Sequence, residues 1–285
     1  MNKIIITAEQ TCDLTPELKE KYNVRVIPMS TWVNDVEYNA SNPISCKDFY
    51  KAMREDAKTA TSLVNEFEAK EFFEKILQEG YDIVHIAFSR NLSGTYNNIM
   101  SASKVLNEQY GERIKVVDSL CASGGQGFVC MLAAEFNDGS KSIQEVAEYA
   151  ENMSKKMSHL FIVDSLKYLA RSGRVSKLVA KVGGLLQIKP ILHADDEGRL
   201  TSLQKVISRK KSILTLAEKV KETKNNDSDI IIIGHCDCEE EARILTDKIK
   251  KDLNIQPILL DIGTVIGSHS GPGTLAVFYT SNARV

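Results

Sequence analysis

No run of about 18 apolar residues occurs in this 285-residue chain, so nothing in it reads as a bilayer-spanning helix. Charge of one sign is also missing: 36 Lys and Arg stand against 38 Asp and Glu, a net −2. That balance leaves no basic footprint for nucleic acid. Cysteines are few, at positions 12, 46, 121, 130, 236 and 238, in a chain too large to need disulfide staples. They read as reduced thiols of a cytoplasmic protein. The opening residues 1–7 lack a long apolar core with a small-residue cleavage site behind it, and are expected to form a strand rather than a secretory leader. Two nucleotide signatures are absent as well. There is no G-x-x-x-x-G-K-[ST], and no G-x-G-x-x-G follows the first apolar run. His235-Cys-Asp-Cys238 has no second ligand pair at zinc-like spacing, so no metal is expected there.

What is present is ordinary for a globular protein: 43% hydrophobic and 26% charged residues, in a length that suits one large or two medium domains. Short β-branched runs at 3–6, 24–29, 81–88 and 114–118 alternate with amphipathic stretches at 45–56, 64–80 and up to 110. This alternation predicts a parallel sheet flanked by helices, with a hairpin over 31–38. After about residue 158 the pattern changes. Strands are expected at 160–163, 188–193, 198–206, 230–233 and 257–262, with helices at 166–173, 213–223 and 239–253. We place a boundary near 152–158, giving domains 1–157 and 158–285, packed closely because no low-complexity linker separates them.

Small, polar loops close the strands of the first half. Ser89-Arg-Asn-Leu-Ser-Gly-Thr95 puts Ser93 and Thr95 around Gly94 at a helix start, where backbone N–H groups can hold an anion. The same two hydroxyls also suit plain helix capping, as do Thr59-Ala-Thr-Ser62 before the next helix. Ser119–Gly127 reads as a further loop. Arg174 follows Gly173 and suits either solvent or a bidentate carboxylate contact. Gly267-Ser-His-Ser-Gly-Pro-Gly273 places His269 in a turn-rich segment between apparent strands at 264–266 and 274–279. His85, in an apolar strand, reads as a core residue, and His159 and His193 join no constellation.

In order along nearly the whole chain, Val26-Ile-Pro-Met29, Thr61-Ser62, Ser89-Arg-Asn-Leu-Ser-Gly-Thr-Tyr96, Asp118-Ser, Ser123-Gly-Gly-Gln-Gly127, Ser172-Gly-Arg174, Leu186-Gln-Ile-Lys-Pro-Ile191 and the His269 segment resemble the DegV family of bacterial fatty-acid-binding proteins. The resemblance implies a two-domain α/β fold, the N-terminal domain built on a parallel sheet and the C-terminal one on a mixed or antiparallel sheet. One long-chain fatty acid would lie between them. Family members of known role present the acyl carboxylate to a separate ATP-dependent kinase, which makes acyl phosphate for phospholipid synthesis. By motif position Thr61 and Ser93 would bond the carboxylate, Arg174 and His269 would lie close to it, and Ser62, Gly94 and Thr95 would complete the shell. The implied ligand is the fatty acid itself and the implied partner a fatty acid kinase catalytic subunit. No cofactor or catalytic residue of its own is implied, and a transient contact with a membrane surface is left open.

Two departures from the family pattern stand out. Ala8-Glu9-Gln10 replaces the usual Thr-Asp-Ser, and Leu63-Val64 replaces Gln-Pro. The energetics of the assignment are reasonable. A sixteen-carbon tail gains roughly 10 kcal/mol, at about 0.8 kcal/mol per buried methylene, before association costs. Its carboxylate needs hydroxyls and a cation in compensation. The apolar run at 178–192 is a candidate tunnel wall. Competing readings are an acyl-ester hydrolase using Ser93 and His269, and a lipid sensor without a kinase.

Overall fold

The computed structural model describes residues 2–175 and 189–285, so most of the expected tunnel wall at 178–192 lies outside the described residues. The Ile-rich opening forms strand β1 (Lys3–Glu9), and β2 (Val24–Ile27), β6 (Tyr81–Ala87) and β7 (Ile114–Asp118) join it in a parallel sheet of order β2-β1-β6-β7. Its β-branched residues point to both faces, as a sheet covered on both sides requires. Ile5 and Ile83 pack under helices α3 (Glu66–Gln78) and α4 (Thr95–Tyr110), through Phe73, Ile99 and Leu106. Ile6, Val84 and Ile86 face the other way, towards Phe128 and Val129 of α5 (Gly124–Phe136). Helix α1 (Pro16–Lys21) starts at a proline, with Thr15 as its cap, and α2 (Cys46–Arg54) is capped by Ser45.

Strands β3 (Thr31–Val33) and β4 (Val36–Tyr38) form the expected hairpin, but a third strand joins them. The Thr59-Ala-Thr-Ser62 cluster does not cap a helix: Thr59–Thr61 is strand β5, with Thr61 opposite Thr31 and Thr59 opposite Val33. The helix that follows is capped by Asn65, whose side chain and that of Glu68 make a reciprocal capping box.

Helix α6 (Ile143–Lys156) leads directly into β8 (Met157–Ile162), the first strand of a mixed six-stranded sheet. Also in it are β9 (Ile191–Ala194), β10 (Leu200–Gln204), β11 (Ile232–His235), β12 (Ile258–Asp261) and β13 (Leu275–Thr280), in the order β10-β9-β8-β13-β11-β12. Only β11 and β12 run parallel, joined by the crossover helix α9 (Glu239–Leu253). That helix and α8 (Arg209–Thr223) cover the outer face of the sheet through Leu216, Val220, Leu245 and Ile249.

The inner face packs on α5, whose first turn the sequence pattern presents as part of the loop 119–127. Gly124, Gly125 and Gly127 are its first turn. A side chain at Gly124 would strike Ile232 and Phe278 of the second sheet, and one at Gly127 would strike the Cys12 carbonyl beside the first. Glycine here allows one helix to touch both sheets, a packing demand that outweighs its poor helix propensity. Residues 124–133 are buried without a break.

A second reassignment concerns Thr264-Val-Ile. Its β-branched residues suggest a strand, yet Thr264–Ser270 is helix α10. The Gly263 amide at its start donates to Asp13 Oδ1 (3.0 Å), and Gly271, at φ 84°, ends it. Tertiary contacts override local propensity here. His269 therefore sits on the last turn of a helix rather than in a loop.

Candidate functional site

Between the two sheets lies a cavity of about 820 Å³ of empty space, its open end included. On one side it begins at the carboxyl ends of β1 and β6, at Glu9 and Phe88, where ligands of parallel sheets bind. On the other side, Thr274, just before β13, and Ala276 and Phe278 on it present alternate side chains to the cavity. Most of the remaining wall is apolar, with Met29, Leu92, Phe161, Leu169, Val265 and Ile266 contributing.

Thr61, Ser62, Ser93, Thr95, Arg174 and His269 all line this cavity, although they come from separate elements and loops. Thr61, at the end of β5, shares a hydrogen bond of 2.9 Å with His269 Nε2. Ser93 Oγ donates to Thr95 Oγ1 (3.1 Å) and accepts from the Thr95 amide (3.2 Å). Thr95 Oγ1 also accepts from the Val64 amide (3.3 Å), joining the start of α4 to the approach to α3. Ser62 Oγ accepts from the Ser30 amide (3.0 Å), which helps to hold the end of β5 in place. Gly94 is the N-cap of α4, with φ −69°, and borders the wall rather than forming it. Arg174 follows the left-handed Gly173 that ends α7 (Lys167–Ser172), and its guanidinium donates to the Ser172 carbonyl.

The electrostatics of the cluster are one-sided. Burial, then the charges of Arg174 and Arg171, pull the His269 ring down from 6.5 to about 4, so it is neutral near pH 7. Arg171 itself reaches Thr59 Oγ1 (3.3 Å). The cationic character of the site comes from arginine, and the imidazole acts as a neutral hydrogen-bonding group.

The helix carrying His269 is fixed by contacts around its glycines. A side chain at Gly267 would collide with the Tyr50 ring, whose hydroxyl donates to the Ile262 carbonyl (2.6 Å). One at Gly271 would strike Tyr168. Asp13 anchors the other end, accepting from Ser123 Oγ (2.6 Å) as well as from Gly263. Burial pushes this carboxyl up to about 7 against the pull of its two hydrogen bonds, with Asp261 adding repulsion.

The two sequence departures have structural work. Glu9 is fully buried in the wall, its Oε2 accepting from the Phe88 amide (3.0 Å) and Gln126 Nε2 (2.6 Å). Its Oε1 lies 3.4 Å from Nε2 of His85, whose Nδ1 meets Thr7 Oγ1 at 2.9 Å. Gln10 Oε1 accepts from the Met29 amide (2.8 Å). Leu63 stands on the rim, 48% exposed, while Val64 is buried.

Sequence and structure comparisons agree with this architecture. Residues 3–282 match the family model described as "Uncharacterised protein, DegV family COG1307". The chain belongs to the DegV family. The DegV domain-containing protein CPE0026 of Clostridium perfringens is 37% identical to it, over 100% of this chain and 99% of the relative. A structure described as fatty acid binding of a DegV family protein from Thermus thermophilus superposes with a TM-score of 0.86 at 25% identity, covering 99% of this chain and 100% of the other. DegV of Bacillus subtilis, described as a fatty acid binding protein, gives 0.85 at 27% identity over 99% and 100% of the two chains. The α/β architecture with a parallel and a mixed sheet is thus that of solved DegV structures. Among the described residues, no helix is long and apolar enough to cross a membrane.

Proposed function

We propose that this DegV protein holds one long-chain fatty acid in the cavity between its sheets, with the carboxylate at Thr61, Ser93, Arg174 and His269. The observation that carries the reading is a largely apolar cavity whose lining includes a group of hydroxyls, a neutral imidazole and a guanidinium. The tail gains from burial, and the carboxylate gains charge-assisted hydrogen bonds that compensate its desolvation. Two solved relatives of the same fold, described as fatty acid binding, support the class of ligand.

The site suits holding rather than hydrolysis. Ser93 Oγ donates to Thr95, and His269 Nε2 is engaged by Thr61, so the two are not arranged as nucleophile and base. We read the protein as the non-catalytic, cytoplasmic subunit that offers the carboxylate to a separate ATP-dependent kinase. A head-group cluster bordered by the half-exposed Leu63 is reachable by such a partner. We also take Ser158, one residue into the first strand of the second sheet, as the opening of the C-terminal domain.

Mass spectrometry of lipid extracted from the purified protein tests the binding reading, and an intact C14–C20 acid is the expected finding. Adding a fatty acid kinase subunit and ATP should convert that acid to acyl phosphate. An empty protein that also fails to take up added stearic or oleic acid sinks the carrier assignment. Ester cleavage lost in Ser93→Ala would point to the hydrolase instead. Binding without kinase-dependent turnover would leave a lipid sensor.

A further inference from the structure

Away from the head-group cluster, the hydroxyl side chains in the cavity wall are paired within the protein, and Glu9 is held through its Oε2, with Oε1 facing the His85 ring at 3.4 Å. Thr11 Oγ1 donates to Gln126 (2.8 Å), Ser123 to Asp13 (2.6 Å), and Thr274 to the Ser270 carbonyl (3.1 Å). His159 is different. It lies on β8 on the same face as Phe161, opposite Phe278 of β13, and forms part of the wall with them. Its ring centroid is 4.7 Å from that of Phe278 and 5.5 Å from that of Phe161. The residue is 5% exposed, and its Nδ1 is buried without a hydrogen-bond partner among the described residues. Burial, with the neighbouring charges of Arg284 and His193, pulls the ring down to about 3, which leaves it neutral. Buried polar atoms are ordinarily hydrogen-bonded. A neutral imidazole set among aromatic rings on a tail-binding wall is a costly choice where phenylalanine would serve.

We propose that His159 is a specificity residue for the ligand's tail, and that the site favours long-chain acids carrying a hydroxyl near the middle of the chain. This rests on the fatty-acid reading above. A hydroxyl both donates and accepts, so it can satisfy either tautomer of a neutral imidazole. The position follows from the strand. Thr274 bonds to the carbonyl of Ser270, the residue after His269, and so marks the head end of β13. From Thr274 to Phe278 is four residues, or about 14 Å at roughly 3.4 Å each. An extended chain advances about 1.2 Å per bond, since three backbone bonds span roughly 3.5 Å. The substituent would therefore sit about ten to twelve carbons from the carboxyl.

The test compares dissociation constants for stearic, 10-hydroxystearic and 12-hydroxystearic acids by calorimetry, in the wild type and in His159→Phe. One additional buried hydrogen bond predicts that the wild type binds a hydroxylated acid about five- to tenfold more tightly than stearic acid. His159→Phe should erase or reverse that preference. Equal affinity for plain and hydroxylated acids in the wild type overturns the proposal, and so does a preference that survives the substitution. A wild type that binds none of the three acids overturns the fatty-acid reading as well, which separates the two failures. Should His159→Phe fold poorly, ring ¹⁵N resonances of the wild type decide the matter. The His159 signal should move with the hydroxylated acids and stay near its stearic-acid position otherwise, and identical spectra would reject the assignment.

Discussion

The Thr61 hydroxyl and the His269 ring share a hydrogen bond of 2.9 Å that ties the small three-stranded sheet to the helix ahead of β13. Burial and two nearby arginines hold that ring near 4, well below its ordinary 6.5. A carboxylate arriving beside it would add an opposite charge and raise the value again. Ring titration followed by NMR should give a midpoint near 4 without ligand and a higher one with stearic acid bound. An unchanged midpoint would place the carboxylate elsewhere.

The same depression makes stability depend on pH. The unfolded ring takes up a proton near 6.5 and the folded one only near 4, so the contribution is complete above pH 6.5. It is lost as pH falls from 6.5 towards 4. Urea melts of wild type and His269→Gln should therefore converge across this window, and a gap that widens on acidification would contradict the assignment.

Ser93→Ala, Thr61→Ala and Arg174→Gln should each weaken fatty-acid binding while leaving the thermal midpoint within a few degrees. A hydrogen bond to a charged group is worth about 1.5–3 kcal/mol, or roughly ten- to a hundredfold in Kd. Arg174→Gln is expected at the upper end, because it removes a full positive charge from the cluster. Fluorescence displacement of a bound acyl probe measures all three.

Asp13 gives a pH effect of opposite sign. Its carboxyl is pushed up to about 7 from 3.8, so the folded state holds the proton more tightly than the unfolded chain. The favourable contribution is full below 3.8 and lost as pH rises to 7. Asp13→Asn can still accept from the Gly263 amide and does not ionise. Its stability relative to the wild type should rise between pH 5 and pH 8, as read from denaturant midpoints. A flat difference would mean that the carboxyl titrates normally.

Gly271→Ala combines an unfavourable φ of 84° with a side chain directed at the Tyr168 ring. It should destabilise the protein by about 1–3 kcal/mol, in line with overpacked sites, and disturb the His269 turn. Differential scanning calorimetry should show a lowered midpoint, and the variant should bind stearic acid less well than the wild type. Unaltered melting would show that Tyr168 yields easily.

Much of this arrangement was legible in the residues. Ile4–Ile6 and Ile83–Ile86 announce buried parallel strands, and the ordered motifs mark Thr61, Ser93, Arg174 and His269 as a set before any geometry is known. Local pattern fails where distant contacts decide. Gly124–Gly127 looks like a loop because nothing nearby reveals that two sheets close upon it. Thr264–Ile266 looks like a strand because the Asp13 anchor that starts its helix lies some 250 positions away in sequence. Thr59–Thr61 resembles a cap because its partner strand, at Thr31–Val33, comes before an intervening helix. His159 carries no sequence signal beyond its type, since its surroundings depend on cross-strand register with Phe278.

Helix α5 touches β1 and β6 of one sheet and β8, β11 and β13 of the other, and a single apolar core runs through it from Ile6 to Phe278. The two halves therefore share their interior, so hinge-like separation would tear open the whole core. On the proposed function, an acyl tail would enter by local yielding at the rim, near the half-exposed Leu63, while the sheets stay clamped. Loading and release rates should then respond to substitutions at the rim far more than to changes at the junction between the halves.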